Sequence, residues 1–583
     1  MTDSTDNENG RTDSAGAAGA QCGGSRLRRV AGRWVPWVVF AAVLAAYAFY
    51  QVRGFTPAYA ETDPDAYLFL AKRMALGESL FVTTDDPFLY QPHMWVETAP
   101  GRVTSKYPPG YPVLMAVGYR LAGDVGMFMV SPIMGGLALV GAWLLFRLWL
   151  KPFCATMALL TLALLAQYSF YSAYLLTHAA SLCLTTWGMY FLWRWLARPG
   201  VGWGLAAGAA LGATVTVRPT DALFLLPLAV VAGAGLWRGR RAGRIPWVAA
   251  GAMLAAWGLF VGLQALYNYA QFGGFTVSGY ALSGEQDGFS REYFVRYFGM
   301  LMGGLSREFL PIFFPIGLAG MMLWGPPADR AARLLWFVPV FITYGSYYWV
   351  NDNWSYLRFF MSTLPVCIGA AYAVLERMPV SRLARVGTVL ALFALFFSLN
   401  VGGLRGTVGG TPIGRNPREL ARAAEKMAKL APADAVIFSQ APLCYSMGPR
   451  AAYTLYELEA FNRSQGLARF RDTDRRSHET EPRRQPERTR RLREFYDKAT
   501  DLGLLDSERE RVRSSLAAGR GVFLLVPAHQ REMEKQKLGP GFEVKALEEW
   551  DLDWEWWRQV QRQRWGIYSV ALSAPPPPAV EVK

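Results

Sequence analysis

Glu61-Thr-Asp-Pro-Asp-Ala-Tyr-Leu-Phe-Leu-Ala-Lys-Arg-Met-Ala-Leu-Gly77 is followed, after a polar loop, by Lys106-Tyr-Pro-Pro-Gly-Tyr-Pro-Val-Leu-Met-Ala116. The reading of the whole chain turns on this stretch. It comes directly after the first apolar run, Trp34–Tyr50, so Asp63 and Asp65 stand just outside a membrane. A carboxylate there costs less than one in hydrocarbon, but it still needs a reason. The arrangement points to acid/base chemistry at a bilayer surface, with a lipid supplying one reactant.

The flanking sequence supports a membrane protein. The chain has 583 residues, 52% of them hydrophobic and 21 of them Trp. Residues 34–403 are mostly apolar runs with short breaks, and residues 404–583 are polar and charged. A hydrocarbon core takes roughly 20 apolar residues per helix, and on that criterion about eleven spans are expected. They lie near 34–51, 127–149, 153–170, 178–196, 203–217, 220–236, 247–266, 309–324, 334–350, 359–375 and 386–402. The first lacks a small-x-small cleavage site and is followed by many more, so it reads as a span and not as a cleaved leader. Residues 1–33 form a tail on the cytoplasmic side, rich up to residue 25 in Gly, Ser, Asp, Asn and Ala and expected to be disordered.

Basic residues orient the spans. Arg26, Arg28, Arg29, Arg33, Lys151, Arg194, Arg198, Arg238, Arg240, Arg241, Arg244, Arg330, Arg333, Arg377, Arg382 and Arg385 all fall on one side if the spans alternate. Short basic loops stay cytoplasmic. The N-terminus is then inside, and loops 52–126 and 267–308 and the region 404–583 are outside. The net charge of +15 is explained by topology and surface, and it does not call for nucleic acid as a partner. Cys154, Cys183 and Cys367 fall in spans as small hydrophobes, Cys22 is in the tail and Cys444 is alone in the outer region. No Cys/His cluster suggests a structural metal.

Residues 404–583 read as a small α/β layered domain. Ala435–Ser439 and Gly521–Val526 are short buried strands, and helical patterns lie at 417–431 and 505–518. A segment at 469–493 carries ten arginines with interspersed acids. It reads as a solvated insertion, or as a contact for anionic headgroups or an anionic polymer. The chain ends in Ala574-Pro-Pro-Pro-Pro-Ala579, a frayed terminus. Trp550–Trp557 reads as a strand at a domain edge or at the membrane interface, with sugar stacking as the alternative.

Several motifs, in order, resemble the GT-C superfamily of membrane glycosyltransferases. Within it the chain is similar to the polyprenyl-phosphate-sugar-dependent group that includes the protein O-mannosyltransferases and the lipid A aminoarabinose transferases. The motifs are Asp63-Pro-Asp-Ala-Tyr67, a helix ending at Gly77, Lys106-Tyr-Pro-Pro-Gly-Tyr-Pro112, Arg218-Pro219, Asn268-Tyr-Ala-Gln-Phe-Gly-Gly-Phe-Thr-Val-Ser-Gly-Tyr280, and Tyr356-Leu-Arg-Phe-Phe with Leu364-Pro365. The resemblance covers roughly 34–403. It implies a GT-C-like transmembrane domain of about 11 helices, carrying a C-terminal α/β soluble domain.

The implied reaction takes a sugar from a polyprenyl phosphate at the outer leaflet to an acceptor hydroxyl. The nucleophile needs a general base, which a carboxylate can supply. The leaving phosphate needs positive charge, best given by bidentate Arg. One base and one displacement imply inversion. Only a monophosphate leaves, so no cofactor is required, although a divalent metal is compatible. Asp63 is the first choice for the base, four residues before Tyr67 and on its face if the segment is helical. Asp65 is the second acid or an orienting partner. Both also suit the start of a helix. Lys106, Tyr107, Arg218, Tyr280 and Arg358 are candidates for the donor phosphate or substrate. For Lys106 and Arg218 the competing role is interfacial anchoring. Asn268 and Tyr280 also read as loop-shaping residues. Asp85 and Asp86 before Pro87 read as turn residues, and His93 and His178 as polar packing. The expected partners are the bilayer, a polyprenyl-phosphate-linked sugar and an outer acceptor of open identity.

The competing class is a transporter or flippase for a lipid or polar substrate. Transporters show internal repeats and ionisable groups at mid-membrane. Here no repeat is visible, the charges gather at loop edges, and the polar region 404–583 suits an enzyme acting on an external acceptor. An enzyme-like scaffold without activity is the third reading.

Overall fold

The computed structural model describes residues 18–59, 62–84, 94–243, 245–283, 285–347, 356–408, 415–439, 445–448, 451–454, 503–556 and 559–573. Asp85, Asp86, His93, Cys444, the 469–493 segment and the proline-rich end lie outside the described residues. So do most of the N-terminal tail and the side chains of Trp554, Trp556 and Trp557.

Most of the chain is helical. Helix α1 (Ala18–Gly54) leads to α2 (Thr62–Leu76), which ends at Gly77 in the left-handed region, φ 72°. Strands β1 (Val82–Thr83), β2 (Trp95–Ala99) and β3 (Arg102–Ser105) make a small antiparallel sheet in the order β1-β3-β2. Helix α3 (Gly110–Phe128) begins after Pro108-Pro109 and kinks at Ala122 and Gly123. Its outward side carries Val113, Val117, Leu121 and Val125, an apolar stripe at helical spacing. Helix α4 (Val130–Trp149) then crosses the core.

Among the described residues, six helices are long and apolar enough to cross a membrane: Trp34–Gly54, Val130–Trp149, Pro219–Arg241, Trp247–Phe272, Leu357–Glu376 and Arg382–Gly402. The number rises to eight if two bent pairs each count as one span. These pairs are Pro152–Ala163 with Ala166–Ala173, bent by 58°, and Arg291–Phe309 with Phe313–Leu323, bent by 108°. The expectation of eleven also drew on Val201–Val217, which has only 17 residues. It drew on His178–Ala197 too, whose Trp, Tyr and Thr make it weakly apolar, and on Pro327–Gly345, which opens with Asp329, Arg330 and Arg333.

Burial sorts the spans. In Leu357–Glu376, 89% of the apolar window is buried, against 11% in Trp34–Gly54 and 17% in Arg382–Gly402. The outer helices present Phe49, Val52, Leu259, Leu390 and Leu399, as a lipid-facing surface requires. The tightest crossing pairs Val201–Val217 with Trp247–Phe272. Gly204, Gly208 and Gly212 form a stripe there, and a Cβ on Gly208 would fall 2.0 Å from the Met253 carbonyl oxygen. Small residues at this spacing let two backbones touch in a medium where apolar burial gives little driving force.

Beyond the bundle, β4 (Val436–Ser439), β5 (Ala451–Thr454), β6 (Val522–Pro527), β7 (Phe542–Trp556) and β8 (Gln559–Leu572) form a mixed sheet in the order β5-β4-β6-β8-β7. Alternate residues serve its two faces. Val436, Phe438, Leu524 and Tyr568 pack with Val512 of the Gly503–Ala517 helix, while Ile437, Phe523, Leu525 and Ile567 pack with Leu420 and Met427 of the Arg415–Leu430 helix. Trp550 lies on the edge strand and packs partly against the second of these cores.

Candidate functional site

Helix α2 delivers the acidic motif. Asp63 and Tyr67, four residues apart, share a face as expected, and both meet Tyr107. The Tyr107 hydroxyl donates to Asp63 Oδ1 at 2.6 Å, and the Tyr67 and Tyr107 rings lie 4.2 Å apart between centroids. Tyr67 also packs edge-on against Tyr111 at 5.3 Å. Burial, joined by the Asp63 charge, holds the Tyr107 phenol well above its ordinary range. Tyr107 therefore stays a proton donor, and Asp63 is the acceptor.

Asp65 faces elsewhere and is buried. Its Oδ1 accepts from the Tyr59 hydroxyl and, at 2.6 Å, from the backbone N–H of Tyr445. The Tyr445 hydroxyl donates to Asp124 Oδ1 at 2.6 Å. The two acids of the motif thus have different surroundings: Asp63 is half-buried beside a tyrosine cluster, and Asp65 is enclosed in a contact with the C-terminal region.

The small sheet positions the next residues. Lys106 follows β3 and is held by its backbone N–H donating to the Met94 carbonyl at 3.0 Å. Its ammonium, buried, pairs with Glu285 and lies 5.5 Å from the Tyr107 ring centroid and 5.8 Å from that of Tyr280. Gly279 seats the second loop directly on this backbone, since a Cβ there would fall 2.2 Å from the Lys106 carbonyl oxygen. Ser278 caps the short Gly279–Leu282 helix by accepting from the Ala281 N–H at 3.1 Å, and so presents Tyr280. Asn268 shapes the same loop: it accepts from Gln264 at 2.8 Å and donates to the Phe275 carbonyl at 3.3 Å.

Arg218 stands where the Val201–Val217 helix must stop, because Pro219 forces the preceding residue into extended backbone, φ −143° and ψ 113°. Its guanidinium is buried. Nη1 donates to His178 Nδ1 at 3.0 Å, and Nη2 donates to the Tyr344 hydroxyl. Arginine only donates, so His178 Nδ1 is the acceptor and the ring proton sits on Nε2. Tyr344 bonds Thr220 at 2.6 Å, and Tyr356 donates to the Tyr344 carbonyl. Arg358 is buried at the start of the Leu357–Thr363 turn. Its guanidinium lies 5.2 Å from the Phe359 ring centroid, and that of Arg218 lies 5.3 Å from the same centroid.

The acid and the arginine act on common neighbours. Burial pushes the Tyr280 phenol well up. Glu285 and Asp63 push it further, and Arg218 pulls it back. Tyr67 is lifted by burial, by Tyr280 and by Asp63, and is lowered by Arg218 in the same way. Asp63, Lys106, Tyr67 and Tyr280 are gathered around Tyr107, whose ring centroid lies 6.1 Å from that of Tyr280, while Arg218 and Arg358 share Phe359. His178, Tyr344, Glu285 and Tyr59 were not anticipated as partners. The sequence offers no signal for them beyond being polar residues at span edges. Among the described residues no three His, Cys, Asp or Glu side chains converge as a metal site.

Residues 106–260 match the family described as dolichyl-phosphate-mannose-protein mannosyltransferase. Among solved structures, the chain is similar to ArnT from Cupriavidus metallidurans bound to undecaprenyl phosphate, with a TM-score of 0.54 and 14% identity over 91% of this chain and 98% of that one. The apo state of the same protein gives 0.55 and 15%, over 93% and 98%. The oligosaccharyltransferase of Archaeoglobus fulgidus, tethered with an acceptor peptide, gives 0.50 and 13%, over 87% and 71%. No curated protein matches the chain. Partial family match and fold agree in kind: this is a multi-pass membrane protein whose fold is similar to that of ArnT and of the Archaeoglobus fulgidus oligosaccharyltransferase.

Proposed function

We propose that the chain transfers a sugar from a polyprenyl-phosphate donor to an acceptor hydroxyl on the outer side of the membrane, with inversion. The observation that carries this reading is that Asp63, bonded to Tyr107, and Arg218 stand on segments that touch: a Cβ on Gly110, at the end of the Lys106-Tyr-Pro-Pro-Gly bend, would fall 2.6 Å from the carbonyl oxygen of Thr216, two residues before Arg218. A base and a phosphate-binding cation are the two groups the displacement needs, and here they come from elements far apart in the chain.

Asp63 takes the acceptor proton as the acceptor oxygen bonds to the anomeric carbon. The bond from that carbon to the phosphate oxygen breaks, and the lipid phosphate leaves with the electron pair. Arg218, Arg358 and Lys106 stabilise the charge that develops on it. Tyr107 orients Asp63 through its hydrogen bond. Three buried cations suffice for a monophosphate, so the reading needs no metal. It places the N-terminus in the cytoplasm and residues 404–583 outside.

The test is release of polyprenyl phosphate by the full chain in lipid nanodiscs, from a panel of polyprenyl-phosphate sugars, with and without acceptors. Acceptor-dependent release that Arg218→Ala abolishes is the expected result. Transbilayer movement of intact donor without release would overturn it in favour of a flippase.

A further inference from the structure

We infer that Asp65, Tyr59 and Tyr445 form a latch by which the C-terminal region fixes the helix carrying Asp63, which makes Asp65 a positioning residue and not a second base. The inference rests on the glycosyl-transfer reading only for its kinetic arm.

The contact is built at two separate points. At the first, Asp65 Oδ1 accepts from the Tyr59 hydroxyl and from the Tyr445 N–H at 2.6 Å, and the Ser446 N–H reaches the Tyr59 hydroxyl at 3.3 Å. The side chain of Tyr445 runs on to α3, donating to Asp124 Oδ1 at 2.6 Å, with the Lys72 ammonium 5.3 Å from its ring centroid. At the second, Arg418 of the Arg415–Leu430 helix donates from Nε to Thr56 Oγ1 at 2.7 Å. Thr56 and Tyr59 lie in the short connection between α1 and α2. The C-terminal region therefore holds the approach to α2, its first turn and its packing partner α3 together.

Chemistry assigns the roles. A buried carboxylate oxygen that accepts a phenol and a backbone N–H is engaged by those donors, and removing it would take this acceptor from both. Asp63 is two residues away on the opposite side of the first turn. A shift of the turn would carry it away from Tyr107, and small misplacements of a catalytic group are costly. The two acids thus divide the work: one faces the tyrosine cluster, and the other holds the turn in place.

The test uses the full chain in nanodiscs, with Asp65→Asn, Asp65→Ala and Tyr59→Phe. Asn keeps the accepting oxygen and loses the charge, whereas Ala loses both. Hydrogen exchange over residues 445–448 reads the latch directly. Asp65→Ala should speed it at least about tenfold, and Asp65→Asn by much less, as the loss of a buried hydrogen bond requires. Transfer kinetics should follow: kcat falls at least about tenfold in Asp65→Ala with donor KM little changed, and Asp65→Asn rescues most of the loss. Unchanged exchange in Asp65→Ala would overturn the latch. Asp65→Asn as inactive as Asp65→Ala, with normal exchange, would overturn the positioning role and make Asp65 a base. If Asp65→Ala does not fold, Tyr59→Phe, which should speed exchange at Ser446, carries the same decision. A wild-type chain that transfers no sugar would refute the glycosyl-transfer reading, and the exchange arm would still decide the latch.

Discussion

Tyr107 donates its hydroxyl to Asp63 Oδ1 at 2.6 Å, so the first acid of the motif is joined to the loop that opens the Lys106-Tyr-Pro-Pro-Gly bend. The two residues lie on separate elements, α2 and the segment after β3. The bond fixes one carboxylate oxygen; in the proposed reaction the other is the one that meets the acceptor hydroxyl. Raised by burial and by Asp63, the Tyr107 phenol keeps its proton and donates it in a hydrogen bond to the Asp63 carboxylate.

Asp63→Asn keeps the size and the contact with Tyr107 but removes the basic carboxylate. Turnover should fall at least ~100-fold, as for loss of a general base. Donor-lipid binding, measured separately, should persist. Tyr107→Phe leaves the base in place but unoriented, and should cost less, about tenfold. Near-normal turnover in Asp63→Asn would remove Asp63 from the mechanism.

Arg218 lies against the Tyr344 and Phe359 rings and Arg358 against Phe359, with Arg218 already using two nitrogens on His178 and Tyr344. Lys lacks the fork needed to hold these partners and a phosphate at once. Arg218→Lys should therefore impair transfer by about ten- to a hundredfold, in line with loss of a charge-assisted bond. Arg358→Lys should impair it in the same direction, and chelators should have little effect. Full activity of both variants would reduce the two arginines to anchors, and chelator-sensitive activity restored by a divalent ion would refute a metal-free reaction.

The parts of the fold that the sequence announces are those governed by local periodicity. The Leu357–Glu376 core helix, the helix ending at Gly77 and the strand pair around Val436 and Val522 all follow from local pattern. The site is legible where a motif fixes backbone, as Pro219 does for Arg218. Partners from distant elements are not. Glu285 meets Lys106 because Gly279 lets two loops touch, and Tyr445 meets Asp65 across hundreds of residues of sequence. No pattern within one segment encodes such meetings. The six to eight spans counted among the described residues by length and composition leave out aromatic helices such as His178–Ala197, which are weakly apolar and mostly buried in the bundle.

Topology is open to direct measurement. Lys545 lies exposed on β7, and Lys545→Cys should react with a membrane-impermeant thiol reagent in intact cells. Arg238→Cys, exposed in the basic last turn of the Pro219–Arg241 helix, should react only after permeabilisation. The reverse pattern would invert the protein and put the Asp63 cluster on the wrong side for an outer acceptor.

The Gly204-Gly208-Gly212 stripe ties stability to the site. A Cβ on Gly208 would fall 2.0 Å from the Met253 carbonyl, and one on Gly204 2.4 Å from that of Ala249, so neither helix can yield without separating from the other. Gly208→Ala should destabilise the chain by about 1–3 kcal/mol, as overpacking does. Gly258→Ala, on the partner helix with nothing within 4 Å of its Cβ, is the control. It should be neutral or stabilising by roughly 0.5–1 kcal/mol, since alanine suits a helix interior better than glycine. Thermal unfolding in detergent compares the two. The Val201–Val217 helix ends at Arg218, so the separation forced by Gly208→Ala should also move that guanidinium away from His178 and Tyr344. Donor KM should then rise in Gly208→Ala even below its unfolding temperature, and stay unchanged in Gly258→Ala. Equal melting temperatures for the two variants would show that the helices do not touch at Gly208, and a normal donor KM in a destabilised Gly208→Ala would show that Arg218 is held independently of that crossing.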